Sequence, residues 1–233
     1  MSVSMPQSGS DDLHGNVPDQ SELALILIDV INDLEFEGGE ALLPHALPMA
    51  QRIAQLKQRL KAEGIPAIYV NDNFGKWQSN FNNIVRHCLD DDVLGKPMVE
   101  LLVPDDDDYF VLKPKHSGFF STTLDLLLRY LGVHTLILVG VQGNNCVLFT
   151  ANDAYMRDFK IFVPSDCVAS EKTADNDYAL QQMRQVLKAD IRPGSEINPE
   201  EIRGIKRDQQ EQRGSDGKQD HQQKAATESR YSS

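Results

Sequence analysis

Three residues that together can break an acyl bond stand at the ends of apolar runs in this chain. Leu136 to Val139 stops at Gly140, and Cys146 follows where Val147, Ala151, Ala154 and Tyr155 begin to recur at helical spacing. Leu23 to Ile28 ends at Asp29, and Tyr109 to Leu112 ends at Lys113. A carboxylate, an ammonium and a thiol divide the work of acyl transfer: Asp29 accepts the thiol proton, Lys113 favours the anionic forms and Cys146 attacks the carbonyl. A cysteine in the first helical turn, behind Asn144 or Asn145 as N-cap, sits among free amides at the positive end of the helix dipole. Those amides favour a thiolate and can hold an oxyanion, so Cys146 is expected to take iodoacetamide faster than Cys88 or Cys167. Each residue also has a plainer reading, as a small buried hydrophobe, a turn former and a surface lysine. Their joint occurrence at three strand ends favours chemistry.

The positions matter only if the runs are strands of one sheet. Leu23 to Ile28, Pro66 to Val70, Tyr109 to Leu112, His134 to Val139 and Lys160 to Val163 read as five strands. Between the first two lies a helical pattern with Pro44 and Pro48 near its start and Gly64 as its stop. Ile84 to Leu102 reads as one or two short helices broken near Gly95 and Pro97. Thr122-x-x-Asp125 has the spacing of a capping box and opens a helix that ends at Gly132. Further helices are expected from Cys146 to about Asp158 and from Thr173 to Ala189. Strands separated by single helices require right-handed crossovers, so the fold class is α/β: a parallel sheet of about five to six strands with helices on both faces, Rossmann-like in its layering. Ligands of such sheets bind beyond the carboxyl ends of the strands, which puts Asp29, Lys113 and Cys146 on one rim.

Composition narrows the partners. The chain has 233 residues, enough for one domain with a substantial core, and a formal net charge of -12. That charge disfavours a nucleic-acid backbone or an anionic membrane surface and leaves a small-molecule substrate, with a homo-oligomer as an open option. No apolar run approaches the roughly 20 residues that span a bilayer, no targeting signal is evident, and three widely spaced cysteines suit a reducing, cytoplasmic location. Residues 1–21 are polar and expected to be disordered, residues 22–194 form the domain, and residues 195–233 read as a polar, largely disordered tail. The run Asp105 to Asp108 reads as a solvated loop, because consecutive residues cannot all converge on one cation.

Three segments carry a family resemblance. Leu25 to Asp33 (LILIDVIND), Val111 to Phe119 (VLKPKHSGF) and Gly140 to Val147 (GVQGNNCV) resemble the signature regions of the isochorismatase-like cysteine hydrolases, and Thr150 to Ala154 and Val163 to Ser170 follow in the expected order. The similarity covers roughly residues 22 to 190. It implies the triad Asp29, Lys113 and Cys146, a non-proline cis peptide between Val141 and Gln142, and an oxyanion hole from the amides of Gln142 and Cys146. It also implies hydrolysis of a small amide, ureido or carbamoyl C–N bond through a thioester. Two other readings stay open: a vinyl-ether hydrolase of the isochorismatase type, and a catalytically silent binding protein of the same fold.

Departures from the family bear on substrate. Nicotinamidases of the family hold a metal with an Asp and two His, whereas the segment after the second strand is here Asn71-Asp72-Asn73-Phe74-Gly75-Lys76-Trp77, without histidine. No cofactor and no metal are therefore expected, since a lone Asp72 binds a divalent ion poorly. Ile31 stands where many relatives have Gln, and Gly143 where Thr is frequent. Phe36, Asn71, Asn73, Phe74, Trp77, His116, Phe119 and Phe120 lie in segments that reach the same rim and are the candidate pocket residues.

Overall fold

The strand β1 (Leu23–Ile28) is buried at all six positions, the pattern of a strand with helices on both faces. The computed structural model describes residues 20–73 and 80–203. Within it β1 pairs in parallel with β2 (Ala67–Asp72) on one side and with β4 (Thr135–Val141) on the other. β3 (Tyr109–Lys113) lies outside β2, and β5 (Lys160–Phe162) lies beside the first half of β4. A two-residue strand, β6 (Val168–Ala169), continues that edge beside Gly140 and Val141, completing a six-stranded sheet in the order β3-β2-β1-β4-β5 with β6 on β4. So short a strand leaves no alternation to read in a sequence.

Alternation along β1 divides the core. Leu23, Leu25 and Leu27 face one layer with α1 (Gly39–Ala62), α2 (Phe81–Asp90) and α3 (Lys96–Leu101), where Leu42, Ala46, Met49, Ile53, Leu56 and Leu60 of α1 are buried. Ala24, Ile26 and Ile28 face the other, built from α4 (Leu124–Leu131), α5 (Leu148–Tyr155) and α6 (Thr173–Val186). No helix among the described residues is long and apolar enough to cross a membrane.

Four expectations change in detail. Pro44 and Pro48 lie inside α1, which begins at Gly39. Thr122 does not make the capping box: its hydroxyl accepts from the Leu124 amide and donates to the Gly118 carbonyl, tying the start of α4 to the preceding loop. The Asp105 to Asp108 loop is solvated at Asp105, Asp106 and Asp107, as expected, but it is also paired: Lys61 of α1 reaches Asp105, Asp107 and Asp108 at 2.8, 2.6 and 2.9 Å, and the Asp108 side chain is 1% exposed. The packed chain also passes the boundary expected at 194. Ile197 and Ile202 are buried in the α1 layer, and the Arg59 guanidinium donates to the carbonyls of Gly194 and Ile197. Two isolated isoleucines in a polar stretch give no periodic signal, yet suffice to dock it.

Candidate active site

Between β1 and β4 the chain order of the sheet reverses, and the crevice beyond their carboxyl ends is where a doubly wound sheet takes ligands. Asp29 is the first residue past β1. Its backbone is left-handed at φ 50, a conformation that Asp tolerates better than most residues. Its amide donates to the Val70 carbonyl at 3.0 Å, while its Oδ1 accepts from the Asp72 amide at 2.7 Å, so the carboxylate is fixed from both ends.

Lys113 closes β3, two strands away from β1 and therefore roughly 10 Å across the sheet. A four-carbon side chain covers that span. Fully buried, its Nζ lies 2.8 Å from Asp29 Oδ2, 3.5 Å from Cys146 Sγ and 3.7 Å from Asp72 Oδ2, and it donates to the Lys115 carbonyl at 3.2 Å.

Cys146 is delivered by β4 through a turn of its own. The peptide between Val141 and Gln142 is cis, and Gly143–Val147 forms a single π-type turn that runs into α5. The amides of Asn145 and Val147 both donate to the Gln142 carbonyl, at 3.0 and 3.1 Å. At the root of this turn Gly140 has φ 118, and a Cβ there would lie 2.1 Å from the Ile28 carbonyl oxygen, so only glycine lets β4 lie this close to β1.

The three side chains form one hydrogen-bonded group through Lys113, whose ammonium touches both the Asp29 carboxyl and the Cys146 sulfur. Burial raises the Asp29 carboxyl above its ordinary value, against the pull of Lys113. Burial, together with the Asp29 charge, pushes the Cys146 thiol up to about 12, with Lys113 opposing. Burial and the neighbouring Asp29 charge thus oppose the thiolate that the position of Cys146 favours, while Lys113 supports it. Such a group can pass a proton from sulfur to Asp29 when a carbonyl carbon arrives to take the sulfur lone pair.

The expected pocket residues divide. His116 reaches the site, with Nδ1 3.9 Å from Cys146 Sγ and its ring 5.4 Å from that of Phe149. Asn71 does not: it is fully buried, and its amide accepts from the Ile31 amide and donates to the Ile31 carbonyl, fastening the loop after β1. Nor does Phe119, which is 5% exposed in the core beside Phe159 with the Arg157 guanidinium 4.7 Å over its ring. Asn73 is buried and its backbone N–H donates to the Lys113 carbonyl at 3.1 Å. Phe36 lines an open groove of about 800 Å³ with Glu35, Glu37 and Asp92, a groove that none of Asp29, Lys113 or Cys146 lines. Phe120 is exposed, and Phe74 and Trp77 lie outside the described residues.

Sequence reasoning passed over Ser170, Glu171 and Asn176, which hold the turn from the side of β6 and α6. Ser170 Oγ accepts from the Asn144 amide at 3.1 Å, and the Gln142 side-chain amide donates to Glu171 at 2.9 Å. Ser170 ends a segment that resembles the family, Val163 to Ser170, but only the tertiary pairing of β6 with β4 shows that it, Glu171 and Asn176 hold the turn. Among the described residues, the carboxylates of Asp105, Asp107 and Asp108 are the one group close enough to share a cation, and Lys57 and Lys61 already neutralise them.

Comparison with known proteins places the chain in a family. The Isochorismatase domain matches residues 23–191. An uncharacterised isochorismatase family protein of Bacillus subtilis, YaaI, is 42% identical over 178 residues, covering 76% of this chain and 97% of that protein. The ureidoacrylate amidohydrolase RutB of Methylorubrum extorquens is 28% identical over 173 residues, covering 64% of this chain and 70% of its own. Among solved structures, N-carbamoylsarcosine amidase from Thermoplasma acidophilum superposes with a TM-score of 0.60 at 28% identity, covering 76% of this chain and 99% of that one. With the motif matched across its whole parallel sheet and amidohydrolases among its relatives, this chain belongs to the isochorismatase family of hydrolases.

Proposed function

We propose that the protein hydrolyses a small amide, ureido or carbamoyl C–N bond through a Cys146 thioester. The observation that carries this reading is the single buried ammonium of Lys113 touching both Asp29 and Cys146, at 2.8 and 3.5 Å. A binding site has no need of a carboxylate, an ammonium and a thiol held in one hydrogen-bonded group. Relatives that act on ureidoacrylate and N-carbamoylsarcosine support the substrate class.

The chemistry follows from the order of the groups. Asp29 takes the Cys146 proton as sulfur adds to the carbonyl carbon, and the amides of Gln142 and Cys146 receive the oxyanion, each donor stabilising it by on the order of 3 kcal/mol. The proton on Asp29 passes to the leaving nitrogen, the C–N bond breaks and the amine departs, leaving a thioester on sulfur. Water then loses a proton to Asp29 and adds to the thioester carbonyl. Collapse releases the carboxylic acid from an amide, or a carbamic acid from a ureido or carbamoyl group, and the proton on Asp29 returns to sulfur. Lys113 stays charged throughout and offsets whichever neighbour is anionic.

The test is ammonia release from a panel of small amides, ureides and carbamoyl compounds, with isochorismate as a separate arm. Wild-type protein is expected to turn over one of the C–N substrates, with Cys146→Ala and Asp29→Asn inactive yet folded. Turnover of that substrate by Cys146→Ala would overturn covalent catalysis, and activity on isochorismate alone would overturn the C–N assignment.

A further inference from the structure

The turn that carries Cys146 is gripped by residues outside the triad, and one of them has room only because residue 143 is glycine. Ser170, the residue after β6, is 1% exposed. Its hydroxyl accepts from the Asn144 amide and donates to Asn176 Oδ1, both at 3.1 Å. Asn176, in the first turn of α6, also donates to the Val168 carbonyl of β6 at 3.5 Å. A Cβ on residue 143 would lie 2.1 Å from Asn176 Oδ1 and 3.3 Å from Ser170 Oγ. The Asn176 side chain thus occupies the volume that a side chain at 143 would fill. Gly143 opens the same turn that Cys146 nearly closes, and the two are three residues apart.

The same network sorts the amides of the turn. Ser170 engages the Asn144 N–H, while the carbonyl of Gln142 is taken by the amides of Asn145 and Val147. Glu171, next to Ser170, holds the Gln142 side chain at 2.9 Å. One short connection between β6 and α6 therefore grips the turn at two points, a backbone amide and a side chain, on the side facing away from Lys113's strand. Displacement of a reacting atom by about 1 Å can lower a rate about a hundredfold, so such a grip bears directly on rate.

We propose that Ser170 and Asn176 are positioning residues for Cys146, and that Gly143 and Asn176 act as one coupled unit in which the amide of 176 stands in for a side chain at 143. This rests on the reading of Cys146 as the reacting group. Adding a methyl at 143 expels the Asn176 amide and breaks its bonds to Ser170 and Val168. Removing the amide at the same time vacates the volume that the methyl needs.

The experiment is a double-mutant cycle on the full chain with Gly143→Ala, Asn176→Ala and the double variant, with Ser170→Ala alongside. Two readouts are taken: the pH profile of Cys146 alkylation by iodoacetamide, followed by mass spectrometry, and kcat against KM on the C–N substrate. Gly143→Ala is expected to shift the alkylation profile and lower kcat, and the double variant to recover about tenfold relative to it. Asn176→Ala and Ser170→Ala should lower kcat with KM held, and they keep the proposal testable if Gly143→Ala does not fold. A double variant whose losses are the sum of the singles, or Ser170→Ala and Asn176→Ala profiles identical to the parent, would overturn it. Alkylation needs no substrate, so failure of the cycle is separable from turnover by Cys146→Ala, which sinks the covalent reading instead.

Discussion

Lys113 is the side chain through which Asp29 and Cys146 feel the rest of the site. Its ammonium lowers the proton affinity of both, and the Asp29 carboxylate raises that of the thiol. Replacing Asp29 with Asn removes a negative charge beside sulfur and leaves Lys113 in place, so the thiol pKa falls. Alkylation of Cys146 near pH 8 is then expected to quicken by about tenfold, one pKa unit, even as turnover is lost. Lys113→Met should do the reverse, slowing alkylation, and equal rates in the two variants would contradict the charge assignment. The pH dependence of turnover carries the same signature. Asp29 must be ionised to accept the proton, and burial holds its carboxyl above the ordinary range of an aspartate. Turnover is therefore expected to fall as pH drops through that raised value, with the acid limb lying above the range of an exposed aspartate. A limb at or below about 4 would show that Asp29 is not the base.

At the scale of elements, α1 is clamped to the sheet by polar groups as well as by its apolar stripe. Lys57 donates to the Tyr69 hydroxyl at 3.0 Å and pairs with Asp108, whose side chain is 1% exposed, in the loop before β3. That loop is the approach to Lys113, so the clamp holds the strand that supplies the ammonium. Lys57→Met leaves the Asp108 carboxylate buried with Lys61 as its remaining ammonium partner. It should destabilise the fold by roughly 1.5 to 3 kcal/mol in urea unfolding, the worth of a hydrogen bond to a charged group, because Lys61 still neutralises Asp108. An unchanged midpoint would mean that the pair is fully hydrated in solution.

For the whole molecule, the α1 layer also takes in apolar residues past Ile191. Ile197 and Ile202 are buried against the α1 layer, and burial of each contributes about 1.5 to 3 kcal/mol. A chain ending at residue 194 is expected to be less stable than one ending at residue 203 by roughly 3 to 6 kcal/mol, read from thermal or urea unfolding. Equal stability of the two would show that this segment merely rests on the surface. Buried residues thus extend past the stretch that the Isochorismatase domain matches, residues 23–191.

Much of this was legible in the chain itself. Six fully apolar residues before Asp29 and four before Gly140 are long enough to mark buried strands and contain nothing else they could be. Once strands and helices alternate, the sheet is parallel and its carboxyl rim is defined. The three chemical groups were therefore found by local pattern alone. What the pattern could not hold is anything decided by a neighbour distant in sequence. Asn71 and Phe119 sit beside site residues in sequence but turn away from them, one onto the Ile31 backbone and one into the core. Ser170 and Asn176 carry no signal until β6 pairs with β4 and lays them against Gly143. The protonation of Cys146 likewise waited on the fold. A helix start argues for a thiolate, while burial and a carboxyl group from another strand pull the other way, because desolvation and charge depend on what surrounds a group in space.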